Sequence, residues 1–177
     1  INNNGTLEEA NWEDAVSFAA SKLDNFKGDQ IVFVASSKAT NEDNYIFNKF
    51  ANEISKTQNV IYFTHTDETR IDDLLGVSDI TPNTKGVEEL NIGKESKIKP
   101  NDLAEKLKNG EIRAMYVMEE DFEDYLEILE QLKNLSFLAV HSYNMNKKIN
   151  HYADIVFPAS TFAEIEGTFT NLNGRVQ

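Results

Sequence analysis

Two stretches carry residue types at spacings that could do chemistry. The first is Ser36-Ser37-Lys38-Ala39-Thr40-Asn41-Glu42-Asp43-Asn44, which crowds hydroxyls and amides onto an expected helix start directly behind an apolar run. A helix start presents unpaired N–H groups and the positive end of the helix dipole, which suits a phosphate. Plain capping of that helix by Thr40 or Asn41 accounts for the same residues at least as well. The second stretch runs from Ala153 to Gln177: an apolar strand, then Pro158, then a polar loop with Gly167 and Gly174, where the backbone can turn tightly or approach a ligand. Its spacing alone indicates an ordered functional loop and no particular reaction.

Other chemistries find little support. No G-x-G-x-x-G follows the first strand and no G-x-x-x-x-G-K-[ST] occurs, which disfavours ordinary NAD binding and P-loop hydrolysis. His65, His141 and His151 are scattered and form no H-x-x-x-H or H-E-x-x-H pair, so surface or hydrogen-bonding roles outweigh metal binding. Composition permits a serine triad, but no G-x-S-x-G elbow is present. Carboxylate pairs such as Glu119-Glu120 and Glu123-Asp124 are read as an acidic surface rather than as a hydrolase pair.

The elements that must position these stretches alternate. Apolar runs at Ile31–Ala35, Val60–Phe63, Ala114–Met118, Phe137–Val140 and Asp154–Phe157 read as buried parallel strands. Helices are expected from the Asn11 cap to Lys27, with Trp12, Ala15, Val16, Ala19, Ala20 and Leu23 at helical spacing, and over Asn41–Lys56, with Tyr45, Ile46, Phe50 and Ile54 on one side. Thr84–Ile92, Asn101–Asn109 and Phe122–Lys133 complete the set, residues 1–10 read as frayed, and 65–83 as a long loop. The pattern predicts one α/β domain over 1–177: a Rossmann-like (flavodoxin-like), doubly wound, mainly parallel five-stranded sheet. If the strand order is 2-1-3-4-5, it reverses between the first and third strands. Ligands in such sheets bind where the order reverses, beyond the strand carboxyl ends. The candidate loops are then Ser36–Asn44 and Glu119–Phe122, flanked by Thr64–Thr66, His141–Asn144 and Pro158–Thr161.

Composition narrows the function classes. Asp and Glu number 30 against 17 Lys and Arg, a formal charge of −13 that repels phosphate backbones and anionic lipid heads. Neither nucleic-acid binding nor direct membrane insertion is expected, since no apolar run approaches the roughly 20 residues needed to span a bilayer. The absence of cysteine removes disulfides, thiol nucleophiles and ordinary iron–sulfur ligation. Ile1 is not a methionine and Gln177 stops in mid-phrase, so the segment is expected to be excised from a longer subunit.

Ala153 to Gln177 closely resembles the A-D-V-V-L-P-A-x-x-F-A-E-x-x-G-T-F-T-N-x-x-G-R-V-Q signature of molybdopterin oxidoreductases of the formate dehydrogenase type and of the large iron–sulfur subunit of NADH–quinone oxidoreductase, respiratory complex I. Asn11–Ala15 is similar to the family's S-W-D-E-A, Ser37–Tyr45 to S-x-x-T-N-E-E-N-Y, Pro82–Gly86 to P-N-x-x-G, and Gly110–Val117 to G-x-I-K-A-x-Y-V. The resemblance implies molybdopterin guanine dinucleotide as the family's cofactor, with iron–sulfur clusters elsewhere in the parent. The loop from His65 to Asn83 sits where complete members insert a second α/β domain, and it falls well below the roughly 40 residues at which domains struggle to fold alone. Where cofactor-binding members show G-x-D-P or G-x-N-P, this chain has Glu119-Glu120-Asp121-Phe122, then Glu123 and Asp124. Two charges about 4 Å apart interact by roughly 4 kcal/mol at an effective dielectric near 20, so five carboxylates would outweigh a few hydrogen bonds to a pyrophosphate.

The leading expectation is therefore a non-catalytic structural domain in the large iron–sulfur subunit of a complex I-like NADH–quinone oxidoreductase. It would hold no cofactor of its own, at the cytoplasmic face of a bacterial inner membrane, among other parts of the parent subunit and other peripheral-arm subunits. Its vestigial cleft would comprise Ser36, Ser37, Thr40, Asn41, Glu119, His141, Ser142, Thr161 and Asn171. The alternatives are half of a bis-molybdopterin guanine dinucleotide site in a formate dehydrogenase-like catalytic subunit, and a stand-alone flavodoxin-like domain for a nucleotide or flavin.

Overall fold

Continuous apolar runs need both faces covered, and the chain supplies helices between successive strands to cover them. A computed structural model describes residues 1–72 and 76–177. In chain order the elements are β1 (Asn2–Asn3), β2 (Thr6–Leu7), α1 (Trp12–Leu23), β3 (Ile31–Ala35), α2 (Asn41–Glu53), β4 (Val60–Tyr62), α3 (Thr84–Glu89), α4 (Leu103–Lys108), β5 (Ala114–Met118), α5 (Leu126–Leu129), β6 (Phe137–Ser142) and β7 (Ile155–Pro158). The five long strands pair in the order β4-β3-β5-β6-β7, all parallel, which is the expected doubly wound parallel sheet with its strands in a 2-1-3-4-5 order. Register places Val34 opposite Ile61 on one side and Val117 on the other. Alternate residues feed two cores: Ile31, Phe33 and Ala35 meet α1 and α2, while Val32, Val34, Met115 and Val117 meet α4 and α5. The order reverses between β3 and β5, so the loops behind these strands face each other.

Several local expectations are corrected. Residues 1–10 are not frayed throughout: β1 and β2 form a small antiparallel hairpin anchored by Asn2 N–H donating to the Asp154 carbonyl at 2.7 Å. The helix expected over Phe122–Lys133 shrinks to α5 plus a 3-10 turn at Leu132–Asn134, because Phe122 has a positive φ of 55° and cannot start it. On α1 the buried positions are Ala15, Ala19 and Leu23, whereas Trp12 and Val16 are exposed. On α2 they are Asn44, Phe47 and Ala51, with Tyr45, Ile46 and Ile54 exposed. Ala15, Ala19 and Ala51 let both helices lie close to the sheet, Leu23 and Phe47 fill the core beside them, and Trp12, Val16, Tyr45, Ile46 and Ile54 are displaced to the flanks. The 65–83 connection, of which Asp73–Leu75 lie outside the described residues, is closed by an antiparallel stem. Asp67 N–H donates to the Ser78 carbonyl, Ile80 N–H to that of His65, and Thr66 bridges Asp79. Among the described residues no helix is long and apolar enough to cross a membrane.

Candidate functional site

The loop behind β3 is stapled from within. Asn44 is fully buried; its amide donates to the carbonyls of Ser36, Ala39 and Thr40, and its oxygen accepts from Ser36 N–H. Thr40 caps α2 by accepting from Asp43 N–H at 3.1 Å, and its hydroxyl donates to the Asp43 carboxylate at 2.7 Å. The Ser36 hydroxyl accepts from Lys38 N–H, and the Ser37 hydroxyl donates to the Phe63 carbonyl.

The helix start that could have met a phosphate is met by the chain itself. Asn41 N–H donates to the Thr168 carbonyl at 2.8 Å, and the Asn41 amide donates to the hydroxyls of Thr168 and Thr170. Glu42 accepts from both the N–H and the hydroxyl of Thr168, which holds its carboxyl below the ordinary range. Asn83, also fully buried, donates to the Ala39 carbonyl and accepts from Thr170 N–H at 2.7 Å. A Cβ on Gly86 would lie 2.1 Å from the Asn41 side-chain oxygen and 2.2 Å from that of Asn83, so only glycine fits there. Likewise a Cβ on Gly167 would lie 2.6 Å from the Thr40 methyl. Three separated sequence motifs thus converge in one knot.

Across the switch point, Glu119 has a positive φ of 54°, the left-handed region that favours glycine. Its carboxyl is raised above the ordinary range, first by burial and then by Asp43. Glu120 is not surface: it is buried, accepts from Asp121 and Phe122 N–H, and accepts from His65 Nε2–H at 2.8 Å. His65 Nδ1–H reaches Asp124 at 3.3 Å, and the imidazole is raised above its ordinary value, principally by the Glu120 hydrogen bond. Asp121 pairs with Lys147. The expected wall of five like charges is therefore corrected: three of them have cationic partners, and Glu119 is the one that borders the cleft.

His141 lies deeper on the same side. It shares a hydrogen bond with the Tyr116 hydroxyl and stacks between Tyr116 and Phe157, whose ring in turn stacks on Trp12. Burial holds its pKa down to about 4, so the ring is neutral at pH 7, and burial also raises the Tyr116 phenol. Ser142 turns away into its own loop, donating to the Asn144 carbonyl. Thr161 closes a turn with Glu164. Asn171 folds the 169–177 hairpin by accepting from Asn173 and Arg175 N–H. Of the candidate residues, Glu119 and His141 share a groove of about 740 Å³ between α1 and α2, while the others serve the local fold. Asn83, Thr168 and Thr170, together with the His65–Glu120 pair, were not singled out from the sequence. The P-N-x-x-G and T-F-T-N elements were the available signal for the first three; nothing local marks the last pair.

The donors that a pyrophosphate would need are largely committed to the knot, and the groove offers carboxylates and aromatic faces. A family model described as molybdopterin oxidoreductase matches residues 76–177, more than half of the chain. The "F420-dependent formate dehydrogenase 1 subunit alpha" of Methanococcus maripaludis is 45% identical over 60 residues, covering 34% of this chain and 9% of that protein. The corresponding subunit of formate dehydrogenase 2 from the same organism is 38% identical over 60 residues, with the same coverage. A Bacillus subtilis protein bearing a formate dehydrogenase name is 39% identical over 64 residues, 34% of this chain and 6% of its own length. The aligned span is thus under a tenth of each of these relatives. They correct the expectation of a complex I scaffold: the similar proteins are named as formate dehydrogenases.

Proposed function

Since the chain belongs to the molybdopterin oxidoreductase family, we propose that it forms the α/β domain of a formate dehydrogenase-like oxidoreductase subunit, working with other parts of that subunit. The observation that carries this reading is the run of identity to formate dehydrogenase subunits. The knot of Asn41, Asn83, Thr168 and Thr170 supports it, because it gives the separated family motifs one shared structural task.

In such a subunit molybdopterin guanine dinucleotide would supply the redox chemistry when bound. The residues of this chain do not fit its pyrophosphate as they stand. Asn41 N–H and Asp43 N–H, at the start of α2, already have acceptors. Glu119 places a carboxylate at the groove, at the position where the G-x-D-P element that the resemblance implies would put glycine, and Asp43 adds a second. We therefore assign this domain the task of holding one wall of the cleft in shape and route no chemical step through it.

The test is formate-dependent dye reduction by the natural gene product that contains this segment, with guanine nucleotide measured after acid hydrolysis of its cofactor. Formate turnover is expected, with any released GMP coming from cofactor held by other parts of the subunit. Turnover of NADH without formate activity would overturn the reading.

A further inference from the structure

The apolar side chains displaced from the core by the small residues of α1 and α2 face one another across a slot. The α1 helix packs over β6 and β7 and α2 over β3, so β5 runs beneath the gap. The walls are Trp12 and Val16 from α1 and Ile46 and Phe50 from α2, each pair one turn apart. Trp12, Val16 and Ile46 are 59%, 54% and 60% exposed, so the walls stand open rather than closing over a small ligand, which would normally have most of its surface buried. At the strand carboxyl ends the slot carries Glu42, Asp43 and Glu119, and among the described residues no lysine or arginine lines it.

We propose that this groove docks a helical segment of a partner that inserts apolar side chains spaced one turn apart between Trp12, Val16, Ile46 and Phe50 and ends in a lysine or arginine beside Asp43 and Glu119. Helix-in-groove recognition reads anchors at this spacing. The one-signed mouth fixes the direction of the segment: a cation there meets carboxylates in a partly desolvated setting, and an anion is repelled. The proposal rests on the reading above that this groove does not take the pyrophosphate, since Asp43 and Glu119 border both.

Trp12 is the chain's single tryptophan and reports directly on the slot. The probe is a synthetic alanine-based helical peptide with leucines at i, i+4 and i+8 and two lysines at one end, set against the same peptide ending in two glutamates. The lysine peptide is expected to saturate with a blue shift of Trp12 emission and to bind at least tenfold more tightly than the glutamate peptide. Ile46→Glu, at an exposed position, should weaken it at least tenfold with unchanged circular dichroism; Val16→Glu serves if that variant misfolds. D43N/E119Q should weaken it more than E95Q/E127Q, which removes the same charge from exposed sites elsewhere. Equal loss in the two double variants, indifference to Ile46→Glu and Val16→Glu, or equal binding of both peptides would each overturn the proposal.

Discussion

Glu119 occupies a left-handed backbone conformation that costs an L residue about 1 kcal/mol or more relative to glycine. It also keeps a half-buried carboxyl near Asp43. Glu119→Gly is therefore expected to stabilise the fold by about 1 kcal/mol in urea unfolding, and a loss of stability would show that the side chain makes a compensating contact. The two buried histidines pull the pH profile in opposite directions. The folded pKa of His141 lies near 4, below its ordinary 6.5, so its contribution is complete above about 6.5 and is lost as pH falls towards 4. That displacement corresponds to about 3 kcal/mol across the window. His141→Gln should flatten the acid limb between these values, and an unchanged limb would refute the assignment. His65 is raised, so its contribution is present below its ordinary value and fades as pH climbs through the folded one. His65→Gln should accordingly cost more at pH 6 than at pH 9. The resemblance to a G-x-D-P element pointed to a glycine-type position at Glu119 but not to the fate of Glu120, because a carboxylate in an acidic run looks solvated until its histidine partner, 55 positions away, is brought to it.

At the scale of elements, the strands were legible and the helix faces were not. Each strand is a continuous apolar run that has no alternative home. For α1 and α2 the sequence offered two overlapping stripes, a bulky one and a small one, and close packing on the sheet chose Ala15, Ala19 and Ala51 over Trp12, Val16 and Ile46. The expected α5 failed for a different reason: periodicity at Tyr125, Leu126, Leu129 and Leu132 is helical, but the preceding loop leaves Phe122 at positive φ and Leu126 exposed. The candidate site was legible as a place, the loops behind β3 and β5, and less so as chemistry, since Asn41 and Glu42 at its helix start are occupied by a segment more than 120 residues away. The knot makes its own prediction. Asn83→Ala removes partners from the Ala39 carbonyl and from Thr170 N–H, both in buried surroundings. A loss of about 2–4 kcal/mol is expected, with faster amide exchange at Thr170 than at β5. Exchange that accelerates equally in both would mean that the knot and the sheet open as one unit.

For the whole molecule, a charge of −13 works against compaction. Raising NaCl from about 20 to about 200 mM shortens screening from roughly 20 to roughly 7 Å, so the melting temperature should rise by a few degrees; a fall would mean that ion pairs such as His65–Glu120 and Lys147–Asp121 outweigh the general repulsion. The order of the sheet could be anticipated because right-handed crossovers leave few arrangements for five parallel strands. The closed stem of the 65–83 connection could not, since Thr66 and Asp79 carry no turn signature that pairs them. That stem has an evolutionary consequence. With its two ends held side by side, the connection can lengthen at a cost of only about 0.6 kcal/mol per doubling, and the sheet beneath it need not register the change. A lineage could gain or shed an entire lobe at this joint in a single step, and a foreign domain grafted between Asp67 and Ser78 should leave the host fold standing.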